Sequence, residues 1–194
     1  MRIPTMRLIS LSLLAPLTCW LPATAGLADE DRVTPVQIVA LDECDPPTFN
    51  AAIPGFCKNV TGTPALPFST KFADLLAKAA NHTPDPGWDF EPDSVTIKKG
   101  TPLIVVNQGG EPHTFTEVAN FGGGFVPPLN AGEAPVPECA GGFKDVAVAR
   151  TRILQGSQLQ VTGLSKGTHH FECCIHPWMR VTVEVKGRGS DDEH

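Results

Sequence analysis

Three soft side chains crowd into seven residues of the stretch Phe171-Glu172-Cys173-Cys174-Ile175-His176-Pro177-Trp178-Met179. Their spacing is Cys-x-x-His-x-x-Met. A thiol and an imidazole three residues apart cannot point the same way from one strand. They converge if the strand ends at Cys173 and the chain then loops round a small ion. Pro177 stiffens such a loop, and the thioether of Met179 can approach from one side.

Soft thiolate and thioether donors with an imidazole between them favour copper, and two imidazoles plus a thiolate with a weak axial Met make the blue-copper arrangement. A second imidazole must therefore come from elsewhere. His113, in Asn107-Gln108-Gly109-Gly110-Glu111-Pro112-His113-Thr114-Phe115, follows a Gly-rich turn and opens an alternating strand, so it is the best donor. Alone, His113 would read as a solvated loop residue and Met179 as core filler; together with a Cys-x-x-His pair they read as a metal site. Other metal chemistries fit worse. Haem attachment needs Cys-x-x-Cys-His, which is absent. Structural zinc wants a second Cys or His pair and no thioether. A dinuclear copper site needs two thiolates on successive turns, whereas Cys173 and Cys174 are adjacent and diverge. No paired carboxylates or Ser-His-Asp pattern supports hydrolysis.

These residues must be placed by a fold, and the composition narrows it. In 194 residues, 41% hydrophobic, the 18 glycines and 19 prolines favour a turn-rich β protein over a helical bundle. Residues 1–25 read as a cleaved export signal: Arg2 and Arg7, an apolar run from Leu8 to Leu17, then Ala23-Thr24-Ala25. That run is too short to span a bilayer, so the mature chain is expected to have no membrane span and to be periplasmic or secreted. Removing Arg2 and Arg7 takes the formal charge from −6 to −8. An acidic chain repels nucleic acid, and no polybasic patch points to a membrane. Cys19 leaves with the signal. The five remaining cysteines, Cys44, Cys57, Cys139, Cys173 and Cys174, suit two disulfides and one thiol with a task in an oxidising compartment.

Residues 26–81 form an N-terminal extension. It holds a first strand over Pro35 to Asp42, a Pro-rich loop between Cys44 and Cys57, and a short helix. Phe72, Leu75, Leu76 and Ala79 give that helix its apolar stripe, with Ser69 or Thr70 as N-cap. Residues 82–187 carry short alternating strands separated by Gly turns, the pattern of a β-sandwich. Within them, 120–143 reads as a long irregular loop. Residues 188–194 are a polar tail. No internal repeat is present.

Two segments, WDFEPDSVTIKKGTPLIVVNQGGEPHTFT and HHFECCIHPWMRVTVEV, resemble the cupredoxins of the amicyanin and plastocyanin kind. They span roughly residues 88 to 183, about half the chain, and the Cys-x-x-His-Pro-x-Met loop is closest to amicyanin. The resemblance implies an all-β Greek-key sandwich with one type 1 copper ion held by His113, Cys173, His176 and Met179. It implies a one-electron carrier rather than an enzyme, a monomer, with a cytochrome or copper enzyme as redox partner. By the same resemblance His176 is the electron exit, its ring edge near the surface within an apolar rim of Pro112, Pro177 and Trp178. A copper carrier or buffer in the periplasm is the alternative. The chain departs from the family at Thr114, where an Asn often braces the ligand loop. It lacks the Gly usual shortly after the Met, and Gly26 to Asn81 exceeds compact members. Strand alternation turns Cys174 away from Cys173, so Cys174 needs a distant partner. Cys139 is the natural candidate, leaving Cys44 for Cys57, although four cysteines allow three pairings.

Overall fold

The computed structural model describes residues 33–58 and 69–187. The expected export signal, Cys19 and the polar tail lie outside them. Among the described residues ten strands run in chain order: β1 (Val36–Leu41), β2 (Asp89–Glu91), β3 (Ser94–Lys98), β4 (Leu103–Asn107), β5 (His113–Thr114), β6 (Thr116–Val118), β7 (Arg152–Ile153), β8 (Gln158–Val161), β9 (Gly167–Glu172) and β10 (Arg180–Lys186). Helices α1 (Pro46–Ala52) and α2 (Phe72–Ala80) follow β1, and α3 (Val146–Arg150) precedes β7. Among the described residues no helix is long and apolar enough to cross a membrane.

Alternation decides which faces are buried. Along β10 Val181, Val183 and Val185 turn inward while the residues between them do not, and along β4 Leu103 and Val105 do the same. One sheet has the order β2-β1-β4-β8 and the other β3-β10-β9-β6, with β5 and β7 as a small separate pair. Inward residues of both sheets share one hydrophobic core, and Phe115 links them by stacking on Phe171 at 4.4 Å and meeting Phe90 edge-on at 5.2 Å. The chain crosses between the sheets from β2 to β3, β3 to β4, β4 to β6 and β8 to β9, so this is the Greek-key β-sandwich the sequence led us to expect. Most pairings are antiparallel; β1 with β4 and β3 with β10 are parallel. The first strand is internal, between β2 and β4, which carries its end at Leu41 and Asp42 toward the site.

Two local readings change. The Cys44–Cys57 segment is helical in α1 rather than a loop. Its prolines stand at the first helical positions, where the missing N–H costs nothing, and the Asp45 carboxylate accepts from Thr48 N–H at 3.1 Å. In α2 the N-cap is Lys71, without a side-chain cap, because Thr70 is drawn into a bridge with Cys44 and its hydroxyl donates to Asp85 at 3.1 Å. The Phe72 N–H is instead taken by Thr48 Oγ1 from α1. The 120–143 segment, otherwise irregular as expected, contains a 3-10 turn at Pro127–Leu129 and enters a second at Gly142–Lys144.

Candidate metal centre

Strand β9 ends at Glu172, and the chain then turns tightly. Cys173 N–H donates to the Met179 carbonyl at 3.1 Å and Met179 N–H to the His176 carbonyl at 2.9 Å, which closes the ligand loop on itself. His113 arrives from the other side, on β5. The Nδ1 atoms of His113 and His176 stand 3.8 and 3.9 Å from Cys173 Sγ. Ligand atoms of all three residues lie within 4.8 Å of one another, and all three are buried. Metal–nitrogen and metal–sulfur bonds of the usual 2.0–2.3 Å, meeting near 120°, span about 3.7–3.8 Å. The triangle therefore has room for one ion. Its two imidazoles and one sulfur are the donor set that suits copper. Met179, whose backbone closes the loop, is fully buried.

The backbone around Cys173 is braced. Thr114 Oγ1 accepts from Cys174 N–H at 2.7 Å, and Thr114 N–H points at Cys173 Sγ at 3.4 Å. Thr114 thus ties β5 to the ligand loop. Its hydroxyl is held in turn by Thr116, which bonds Thr151 at 2.7 Å. The disulfides are Cys139–Cys174 and Cys44–Cys57, and Cys173 is free. This is the expected pairing, and it ties the 120–143 segment to the ligand loop. Gly124 sits where any side chain would overlap the Cys174 carbonyl, and Phe125 N–H donates to that carbonyl at 2.8 Å.

Sequence reasoning missed the groups behind the imidazoles. Asp42, just past β1, holds His113 Nε2 at 2.9 Å, and Glu111 holds His176 Nε2 at 3.0 Å. Both carboxylates are fully buried. Such partners fix which ring nitrogen faces a metal and raise its basicity. Asp42 also accepts from the N–H groups of Gly110 and Glu111, each at 2.9 Å, and a Cβ on Gly109 would overlap its carboxylate. Asn107 secures the same turn by donating to the carbonyls of Glu111 and Ile153. Trp88 Nε1 donates to Glu111 Oε2 at 3.0 Å. No local pattern marks these residues: Asp42 lies 71 positions from the ring it serves.

The charges are strongly coupled. Burial would lower the His113 pKa, but the Asp42 carboxylate and the Cys173 sulfur outweigh it and raise it to about 10. Burial would raise Asp42, yet His113 and the two N–H groups hold it below the ordinary carboxylate range. Burial also opposes ionisation of Cys173, but the two imidazoles bring its thiol well below the usual value. His176 is raised against burial by Glu111 and Cys173. The metal-free site thus favours a thiolate facing imidazolium rings, each with a carboxylate behind it.

One expectation fails. His176 is only 1% exposed, and Pro112 and Pro177 are buried too. The Trp88 ring lies 6.1 Å from the His176 ring, the Trp178 ring 5.5 Å away, and Phe49 of α1 stacks on Trp88. The rings nearest His176 are thus Trp88, at the start of the strand region, and Trp178 of the ligand loop itself, with Phe49 of α1 behind Trp88.

No family model and no curated protein matches the chain. Solved structures similar to it include a reduced amicyanin variant, 20% identical over 50% of this chain and 73% of that one, with a TM-score of 0.33. A purple cupredoxin from Nitrosopumilus maritimus is 15% identical over 78% and 99% of the two chains, at a TM-score of 0.37. A Cu(I) amicyanin variant is 19% identical over 56% and 90%, at 0.34. The chain's own two sheets and its buried His-Cys-His cluster make it a β-sandwich with a candidate metal site.

Proposed function

We propose that this is an exported mononuclear type 1 copper protein that carries single electrons, with His113, Cys173, His176 and Met179 as its ligands. The observation that carries the reading is the convergence of two imidazoles on one buried free thiol, at separations that fit one ion. Copper, when bound, supplies a one-electron couple. The chain's part is to hold the donors still. Thr114 fixes the backbone beside Cys173, and Asp42 and Glu111 fix both rings. Rigid donors keep reorganisation small, which suits a carrier. The four-donor set leaves no place for a substrate on the ion, so the chain acts as a carrier and not an enzyme. Its partner is another redox protein, a cytochrome or a copper enzyme, met as a monomer in the periplasm or outside the cell.

The burial of His176 favours attention to a second reading, a copper-binding homeostasis protein that carries or buffers the ion. An imidazole with no exposed edge is a poorer electron exit. Optical spectra separate a type 1 site from other binding: the copper-loaded protein is expected to show an intense visible thiolate-to-copper band that bleaches on reduction. Rapid reversible reduction by a cytochrome or cupredoxin then supports the carrier. Copper transfer to an apo acceptor with slow electron exchange supports the buffer.

A further inference from the structure

Beside His176, between α1, α2 and the Pro127–Leu129 turn, lies a cavity of about 330 Å3. Its wall is almost wholly apolar and includes five phenylalanines, Phe49, Phe56, Phe72, Phe125 and Phe143. Among the described residues the only polar side chains lining it are Glu111 and His176. Glu111 is fully buried, and its Oε2 already serves both Trp88 and His176. Its Oε1 is buried and meets no hydrogen-bond partner among the described residues. An unpartnered carboxylate oxygen is costly in such a place.

We infer that this cavity binds a small uncharged aromatic alcohol of the phenol class, its ring among the phenylalanines and its O–H donating to Glu111 Oε1. The volume falls in the range of small-molecule sites, which are mostly apolar with few polar groups that set orientation. A hydrocarbon would fill the space and leave Oε1 unpaired. A water there would find one polar partner where it needs two to four. An anion is repelled by the carboxylate, and a cation would be stripped of water against apolar walls. A hydroxyl at one end of an otherwise apolar ring meets both the walls and the single acceptor. Ile53 and Phe143, 45% and 36% exposed, stand on the solvent side and give the ring its way in. Binding requires no metal, so it stands apart from the copper reading.

The test is titration of the full-length protein, metal-free and copper-loaded, with phenol, toluene and cyclohexanol, followed by calorimetry and by side-chain NMR of Ile175 and Leu76. Phenol is expected to bind saturably at one site in both forms and to shift both resonances. Toluene, lacking the donor, is expected to bind about tenfold or more weakly, the worth of a hydrogen bond to a charged group. Leu76→Trp, which fills the cavity from α2, and Ile53→Trp, which closes its mouth, should each abolish phenol binding while the protein keeps its native NMR spectrum. The proposal is overturned if phenol fails to saturate, if toluene binds equally well, if cyclohexanol matches phenol, or if binding survives both tryptophans in folded protein.

Discussion

Replacing Cys173 by Ser removes the one sulfur that both imidazoles face, so Cys173→Ser should abolish the visible band on copper loading. A coloured Cys173→Ser protein would disprove the ligand set. Met179→Leu should keep both copper and band, since an axial thioether bonds weakly. It should raise the reduction potential, because losing a donor disfavours Cu(II) more than Cu(I). An unchanged potential in voltammetry would mark Met179 as ordinary core. The carboxylates make a separate prediction about the metal-free protein. His113 has a folded pKa of about 10 against an ordinary 6.5. The stability it contributes is thus fully present below pH 6.5 and is lost as pH rises through about 10. Asp42→Asn breaks this buried pair and should cost about 3–5 kcal/mol at neutral pH. Urea unfolding of the metal-free proteins at pH 7 and above 10 checks this: the difference between wild type and variant should narrow at the higher pH.

At the scale of elements, the question is what holds the ligand loop against the segments beneath it. The Cys139–Cys174 disulfide joins the 120–143 segment to that loop across 35 residues. Arg180 adds to the same seam, reaching the Pro177 carbonyl at 2.7 Å and the Glu133 carboxylate at 2.8 Å. Replacing both Cys139 and Cys174 by Ala should lower stability by about 2–4 kcal/mol, as for a loop of that length. Calorimetric melting of the copper-free protein reads this loss. Thr114→Val acts on the other side of the loop, leaving Cys174 N–H without its buried acceptor. A cost of about 1–3 kcal/mol is expected, together with a broadened copper spectrum from a less fixed thiolate. An unaltered spectrum would show that β9 and the disulfide position Cys173 without help from Thr114.

For the whole molecule, the notable fact is that the site is enclosed. Trp88 and Trp178 stand against the imidazole expected at the surface, and α1 and α2 line the cavity beside it. Electron exchange between copies of the protein should then be slow on the NMR timescale. A half-reduced sample is predicted to show separate signals for the two oxidation states, and merged signals would mean that an efficient exit exists despite the cover.

The sequence alone determined much of this protein, because several signals are local. The Cys-x-x-His-x-x-Met loop, the period-two strands and the Gly turns each act over a few residues, so the sandwich, the meeting of His113, Cys173 and His176, and the odd thiol were legible before any tertiary contact was known. Cysteine count and strand alternation also pointed to the disulfides. Tertiary structure decided the rest, because those features depend on residues distant in the chain meeting in space. The carboxylate of Asp42 reaches His113 only because β1 inserts beside β4 and Gly109 leaves room for it. Glu111 finds Trp88 and His176 only after the sheets close. The Cys44–Cys57 segment looked like a loop because prolines usually break helices, yet at a helix's first turn they do not. Trp178 shields His176 from within the same loop, but the contact with Trp88 and the stacking of Phe49 behind it depend on segments distant in the chain.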